Sequence, residues 1–328
     1  MHPVKENLLR VIRDHKKPEW TPSYLGACFN AGLAGMDLEN GPPGGGEDAF
    51  GVRWVGTTST GGALTPDPHH YVLDDITRWK EVVTFPDVWK FDWESYAQRA
   101  YPAFFDPDKM VKGFSVCGPF QRMEALMGFE NCLCDIAMEP EATYEFMCAV
   151  AEYNMEMVKA AKKYLGIEMF DLADDIATEQ SLFMSPDCYR ELIKPNHKKV
   201  YDLCRNEGLI IEQHTCGKAD SLVDDYVELG IDVWQSVQPT NDIEGILQKY
   251  GDRLALVGGF DSNGAVARAA DDEQIIEEIH RCFDTYGKYD SYVFWGFFLR
   301  DDPKTAMHRM DLLTQESQTY PRKLRGLE

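Results

Sequence analysis

The chain has 328 residues, 44% of them hydrophobic, which is ample for one large core and for a single domain spanning 1–328. Lys and Arg number 33 against 55 Asp and Glu, giving a net charge of −22. This excludes polyanionic partners such as nucleic acid or an anionic membrane surface. No apolar run approaches the length of a bilayer span and no apolar segment follows a basic start, so a cytoplasmic protein is expected. The nine cysteines form an odd set in a large chain and read as reduced thiols rather than a disulfide framework.

In chain order, Val4, Leu8, Leu9 and Ile12 recur at helical spacing, so residues 3–15 read as a helix ended by Pro18. Residues 30–48 read as a loop whose Gly-Pro-Pro-Gly-Gly-Gly run at 41–46 covers a site. That run lacks the Gly-Lys-Ser/Thr ending of a phosphate loop. Phe50 to Val55 alternates like a strand, followed by a Gly/Thr/Ser turn at 56–62. Segments 74–81 and 93–101 look helical. From Gly113 the pattern becomes regular: strands at 113–117, 167–172, 209–216, 231–237, 253–257 and 291–299 alternate with helices at 121–137, 141–165, 186–207, 219–229, 242–250, 272–286 and 303–317. Pro195 interrupts the stretch at 186–207, and Gly166, Gly208 and Gly230 close helices. Alternating strand and helix units argue for a parallel α/β fold. A (β/α)8 TIM barrel with an N-terminal extension fits the length.

In a barrel the site gathers where strands end and strand-to-helix loops begin. Those ends present Cys117, Asp174-Asp175 with Glu179, His214-Thr215-Cys216, Gln235 with Gln238, Gly258-Gly259-Phe260-Asp261, and Trp295-Gly296-Phe297-Phe298. Period-two alternation places Glu212, His214 and Cys216 on one face. His and Cys are nitrogen and sulfur donors suited to zinc, with a third ligand required from Asp174, Asp175, Glu179 or Glu212. Spacing alone leaves a second reading open, in which His214 bonds a backbone group and Cys216 only packs. Asp174, Asp175 and Glu179 are candidates for acid–base work. Adjacent strand residues point oppositely, so one of the two aspartates should face the centre; a helix-start or loop cap is the alternative reading of the pair. Gln238, Asp261, Trp295, Phe297, Phe298 and Cys117 are the candidate substrate contacts.

His214-Thr215-Cys216-Gly217, Leu229-Gly230-Ile231-Asp232, Gln238, Tyr250-Gly251-Asp252-Arg253-Leu254 and Gly258-Gly259-Phe260-Asp261, in that order, resemble the uroporphyrinogen decarboxylase superfamily. Asp174-Asp175, Ser185-Pro186, Ile193-Lys194-Pro195 and the stretch Glu47 to Trp54 fit as well. The resemblance implies a (β/α)8 barrel and one of two chemistries. Decarboxylases of the superfamily grip a porphyrinogen with an Arg-containing N-terminal motif, whereas Glu19 to Leu25 here has no Arg. The His-x-Cys element looks like the zinc motif of the corrinoid-dependent methyltransferase branch. That branch's thiol methyltransferases take a further Cys from the end of the last strand, where this chain has Trp295-Gly296-Phe297-Phe298-Leu299. The resemblance therefore implies a zinc-assisted methyltransferase of the O-demethylase type. It would move a methyl group from a small donor, an aromatic methyl ether by preference, to the cobalt of a separate corrinoid (cobalamin) protein. A porphyrinogen-type decarboxylase, a thiol or tetrahydrofolate methyltransferase of the same fold, and a non-catalytic small-molecule-binding barrel stand as alternatives. A homodimer is an open expectation.

Overall fold

The computed structural model describes residues 3–33, 36–56, 64–101, 105–264, 266, 268, 271–298 and 303–327. Ten strands are described: β1 (Cys28–Asn30), β2 (Gly46–Glu47), β3 (Arg53–Gly56), β4 (Leu64–Pro66), β5 (Met110–Ser115), β6 (Met169–Ala173), β7 (Ile210–His214), β8 (Val233–Val237), β9 (Ala255–Gly259) and β10 (Tyr292–Trp295). Seven of them form one parallel sheet in the order β1-β5-β6-β7-β8-β9-β10. Phe294 of β10 exchanges backbone hydrogen bonds with the segment just before β1: its N–H donates to Pro22 (2.9 Å) and its carbonyl accepts from Tyr24 (3.0 Å). The segment 22–30 thus touches the last strand on one side and β5 on the other, which curls the sheet into a TIM-barrel-like ring with helices outside. Among the described residues this sheet has seven strands rather than eight. The strand read at 50–55 lies instead in a separate antiparallel sheet, β2-β3-β4.

Alternation along each barrel strand separates two environments. Phe170, Leu172, Ile211, Trp234, Leu256 and Phe294 belong to the large cluster shared with the helices. Met110, Met169, Ile210, Val233, Ala255 and Val293 pack together with Leu8, Leu9, Val11 and Ile12 of the N-terminal helix Pro3–Ile12. That helix covers an apolar barrel floor made by the first inward-facing residue of each strand. The next inward residues, Lys112, Asp171 and Glu212, are polar. Polarity therefore rises along the barrel toward the ends where the strand-to-helix loops begin.

Local chemistry explains the helices. Pro119 and Pro140 occupy first turns, and Gly166 ends Pro140–Leu165 in the left-handed conformation (φ 62°). The helix read at 121–137 is two helices, Pro119–Met127 and Phe129–Met138. They are separated by Gly128 (φ 79°), where a Cβ would lie 2.4 Å from the Tyr71 ring. Pro195 falls in the first turn of Lys194–Asn206, after a π-helical turn at Tyr189–Ile193. The last helix runs Pro303–Leu324, longer than the expected 303–317. The turn read at 56–62, apart from Gly56, and Leu299 at the end of the last predicted strand lie outside the described residues.

The small sheet is fixed to the barrel by one buried pair. Asp48 accepts from the N–H groups of Phe50 and Val52 (2.9 Å each), from Trp54 Nε1 (3.0 Å) and from Arg122 Nη1 (2.9 Å). Arg122 also donates to the carbonyl of Glu39 (2.6 Å) and stacks over Phe50 at 4.0 Å. Both charges are sealed from water, so removing one strands the other in a low-dielectric interior. Asp48→Ala is expected to cost about 3–5 kcal/mol of folding stability, measured by denaturant unfolding.

Candidate active site

The cavity at the loop end of the barrel has a volume of about 800 Å³. Inward residues of the strands and of the loops after them supply Lys112, Phe114, Asp171, Asp175, His214, Cys216, Gln235 and Trp295. The antiparallel sheet supplies Trp54, Leu64, Thr65 and Pro66 from above. The covering role expected of residues 41–46 thus falls mainly to β3 and β4. The glycine run serves that sheet: a Cβ at Gly45 (φ 95°) would lie 2.7 Å from the Trp54 carbonyl oxygen.

Asp175, His214 and Cys216 converge here, with one ligand-type atom from each lying within 4.8 Å of the others. Cys216 Sγ lies 3.4 Å from His214 Nε2, and Asp175 Oδ1 lies 3.9 Å from the same nitrogen. Asp175 Oδ1 also accepts from the N–H of Cys216 (2.6 Å), which couples the loop after β6 to the loop after β7. Thr178 O accepts from Lys218 N (2.7 Å), making the same connection. Gly217 (φ 82°) permits this approach, because a Cβ there would lie 2.4 Å from the Thr178 carbonyl oxygen.

This donor set fits a zinc ion. It comprises one imidazole nitrogen, one sulfur and one carboxylate oxygen, the composition of a three-ligand site with a further position open to the cavity. Gln235 Oε1 pairs with His214 Nδ1. An amide oxygen only accepts, so it places the proton on Nδ1 and leaves the Nε2 lone pair facing Cys216 and Asp175. Enclosure at the cavity wall, reinforced by Asp175, pushes the Cys216 thiol well above its ordinary value. A cation at this point would reverse that balance and hold the sulfur as thiolate.

The other candidates separate. Asp174 is buried and faces away from the cavity. It accepts from the N–H groups of Phe120 (3.2 Å) and Gln121 (2.8 Å) at the start of the helix Pro119–Met127, and pairs with His197 Nε2 (2.8 Å). Glu179 is exposed and does not line the cavity. Glu212 shares the inward face with His214 but lies one inward layer deeper, where it accepts from Lys112 and Tyr24. Burial pushes this carboxyl up to about 8 against the pull of Lys112, with Asp171 adding to the rise. Cys117, Trp295 and Phe297 line the cavity. Phe298 packs on Phe260 with ring centroids 5.6 Å apart, Asp261 accepts from Gly264 N (2.7 Å), and Gln238 holds Asn241 through its carbonyl. None of these three is a lining residue. Tyr24, Lys112, Glu124 and Asp171 were not among the sequence candidates. Lys112 and Asp171 sit mid-strand, and only period-two counting back from Phe114 and Ala173 would have turned them inward.

The family model described as uroporphyrinogen decarboxylase (URO-D) matches residues 99–295, from ahead of β5 to the last residue of β10. The chain belongs to the uroporphyrinogen decarboxylase family. No curated protein matched at a significant level. Among solved structures, a methyltransferase from Methanosarcina mazei superposes with a TM-score of 0.65 at 16% identity, covering 97% of this chain and 98% of that one. A B12-independent methionine synthase from Shewanella sp. W3-18-1, solved with selenomethionine, gives 0.51 at 10% identity over 84% and 76% of the two chains. At such identities these likenesses establish the shared fold. Asp175, His214 and Cys216 all lie within the part matched by the URO-D model.

Gln235→Leu removes the acceptor that fixes the His214 tautomer, and is expected to weaken zinc affinity by about 10–100-fold, measured by competition with a chromogenic chelator. Glu124 at the cavity wall is raised to about 7 by burial and by Asp175. A carboxyl raised on folding stabilises the fold fully below its unfolded value and loses that contribution as pH rises through the folded value. In metal-free protein the wild type should therefore lose roughly 3 kcal/mol relative to Glu124→Gln between about pH 4.5 and 7, read from urea midpoints across that window.

Proposed function

We propose that this member of the uroporphyrinogen decarboxylase family is a corrinoid-dependent methyltransferase that takes the methyl group from an aromatic methyl ether. The observation that carries the reading is the convergence of Asp175, His214 and Cys216 at the wall of a cavity walled by Trp54, Phe114, Trp295 and Phe297. A thiol-methylating site would be expected to carry a cysteine at the end of the last strand, and here that position holds aromatic residues. A porphyrinogen decarboxylase would need cationic groups for a many-carboxylate substrate. Among the described lining residues Lys112 is the one Lys or Arg, and it is already bonded to Asp171 and Glu212. One solved neighbour of this fold is itself a methyltransferase, the activity proposed here.

A zinc ion held by Asp175, His214 and Cys216 would supply Lewis acidity to the departing oxygen, and the corrinoid on its partner protein would supply the nucleophile. The chain's own residues do the rest. The aromatic walls hold the flat ring and exclude water. Gln235 keeps His214 in the tautomer that leaves Nε2 unprotonated. Glu124 lines the same cavity, and burial, the main cause of its raised carboxyl, favours the acid form that would deliver a proton to the leaving oxygen.

Elemental analysis of the purified protein beside Cys216→Ser is the first test. About one zinc per chain is expected in the wild type and at least roughly tenfold less in the variant. Negligible zinc in both removes the metal assignment. Methyl transfer to cobalt(I) corrinoid, assayed with methoxyarenes, methylamines and methylthiols, is expected with methoxyarenes alone and to be lost in Cys216→Ser. Transfer from amines or thiols instead overturns the ether reading.

A further inference from the structure

Below the Asp175–His214–Cys216 set lies a second group of ionisable side chains that the reaction just described does not use. Lys112, Asp171 and Glu212 occupy neighbouring strands β5, β6 and β7: Asp171 is aligned with Glu212, and Lys112, aligned with Met169 two residues before Asp171, reaches both carboxyl groups from the next strand. Lys112 Nζ donates to Asp171 Oδ2 at 2.6 Å and to Glu212 Oε1, and Tyr24 donates its hydroxyl to Glu212 Oε2. Three of the four oxygens of the two carboxyl groups therefore have a donor. The fourth, Asp171 Oδ1, has no hydrogen-bond partner, although the side chain is fully buried and lines the cavity. A buried acceptor left open is costly, and in a cavity its natural complement is a donor on the occupant.

We propose that Asp171, braced by Lys112, is a second binding subsite at the cavity floor, and that it receives a hydroxyl group carried by the ligand on the far side from the methyl group. This rests on the methyl-ether reading above. Two features select a hydroxyl. The open atom is an acceptor, so the ligand must donate to it. The Lys112 ammonium on the other oxygen of the same carboxylate repels a second cation and disfavours an alkylammonium in that place. A hydroxyl donates to Asp171 Oδ1 and can also accept from the remaining N–H of Lys112. Spacing selects the position on the ligand. Asp171 and Ala173 lie on the inward face of β6, with Ala173 aligned to His214. The subsite is therefore two residues of strand rise, about 7 Å, below the His214 layer. A benzene ring with oxygen substituents at opposite ends spans such a gap. The preferred ligand is a 4-hydroxylated methoxyarene, held at one end by Asp171 and at the other by the zinc-type set.

Binding can be read without corrinoid, because Trp54 and Trp295 line the cavity. Quenching of their fluorescence by 4-methoxyphenol, methoxybenzene, 1,4-dimethoxybenzene and methylammonium would be titrated on the zinc-loaded wild type and on Asp171→Asn. The wild type is expected to bind 4-methoxyphenol about 10–100-fold more tightly than the two ethers that lack a hydroxyl. In Asp171→Asn the amide oxygen faces Lys112 and the NH₂ faces the ligand. The preference for 4-methoxyphenol over 1,4-dimethoxybenzene should then vanish or reverse, while zinc content stays unchanged. Equal binding of all three arenes by the wild type overturns the subsite, and means that the proton on Glu212 or a fixed water already satisfies Oδ1; the methyl-ether reading survives that result. Saturable binding of methylammonium that is lost in Asp171→Asn overturns the hydroxyl assignment. Failure of every arene to bind overturns the methyl-ether reading and the subsite together. The wild-type series alone decides the matter if Asp171→Asn does not fold.

Discussion

One buried carboxylate decides the direction in which the chain leaves β6. Asp174 turns outward, takes two N–H groups at the start of the helix Pro119–Met127 and the ring of His197, and is wholly shielded from solvent. Its neighbour in the chain must then turn inward, and this delivers Asp175 to the cavity. The packing leaves little room for an alternative. A Cβ on Gly118 would lie 2.6 Å from the Asp174 carboxyl carbon, so the helix start and the aspartate are fitted closely to each other. Thr215 extends the same lock to β7: its hydroxyl donates to the Asp174 carbonyl (3.0 Å), which leaves His214 and Cys216 on the inward side. The metal-type set thus depends on an outward layer, Asp174, His197 and Thr215, that never touches the cavity.

The barrel interior is graded. Its floor is aliphatic and covered by the N-terminal helix, its middle layer holds Lys112, Asp171 and Glu212, and its mouth holds nitrogen and sulfur donors among aromatic side chains. Burying an ion costs several kcal/mol unless it is paired, and the middle layer meets that requirement internally. Burial opposes the Lys112 ammonium, but Asp171 and Glu212 outweigh it and keep the lysine charged. At the loop ends of the strands, Asp175 and Glu124 stand at the cavity wall.

Much of this is legible in the sequence. Alternation of strands and helices from about residue 110 onward sufficed for the parallel α/β frame, and the strand-end rule drew attention to His214, Cys216, Asp175, Cys117, Trp295 and Phe297. Gln238, Asp261 and Phe298 follow strand ends equally well but are diverted from the cavity. Asp261 caps its own turn, Gln238 anchors the loop after β8, and Phe298 packs back onto Phe260. The rule marks which end of the barrel a residue occupies, not whether its loop turns inward. Phe50 to Val55 shows a similar limit. Its alternation reveals a strand-like stretch, but which sheet the strand joins depends on Asp48 and Arg122, which are 74 positions apart in the chain.

By itself, the sequence determined the period-two placement of Glu212, His214 and Cys216 on one face, since alternation is a property of any strand. It also determined that one of Asp174 and Asp175 must face away, because adjacent residues diverge. Only the tertiary structure decided which aspartate completes the set, since that choice depends on a helix N-terminus some 50 residues earlier and on His197, 23 residues later. The same holds for the Lys112–Asp171–Glu212 layer, whose members come from three strands. Their pairing arises when the barrel curls, and local pattern carries no record of it.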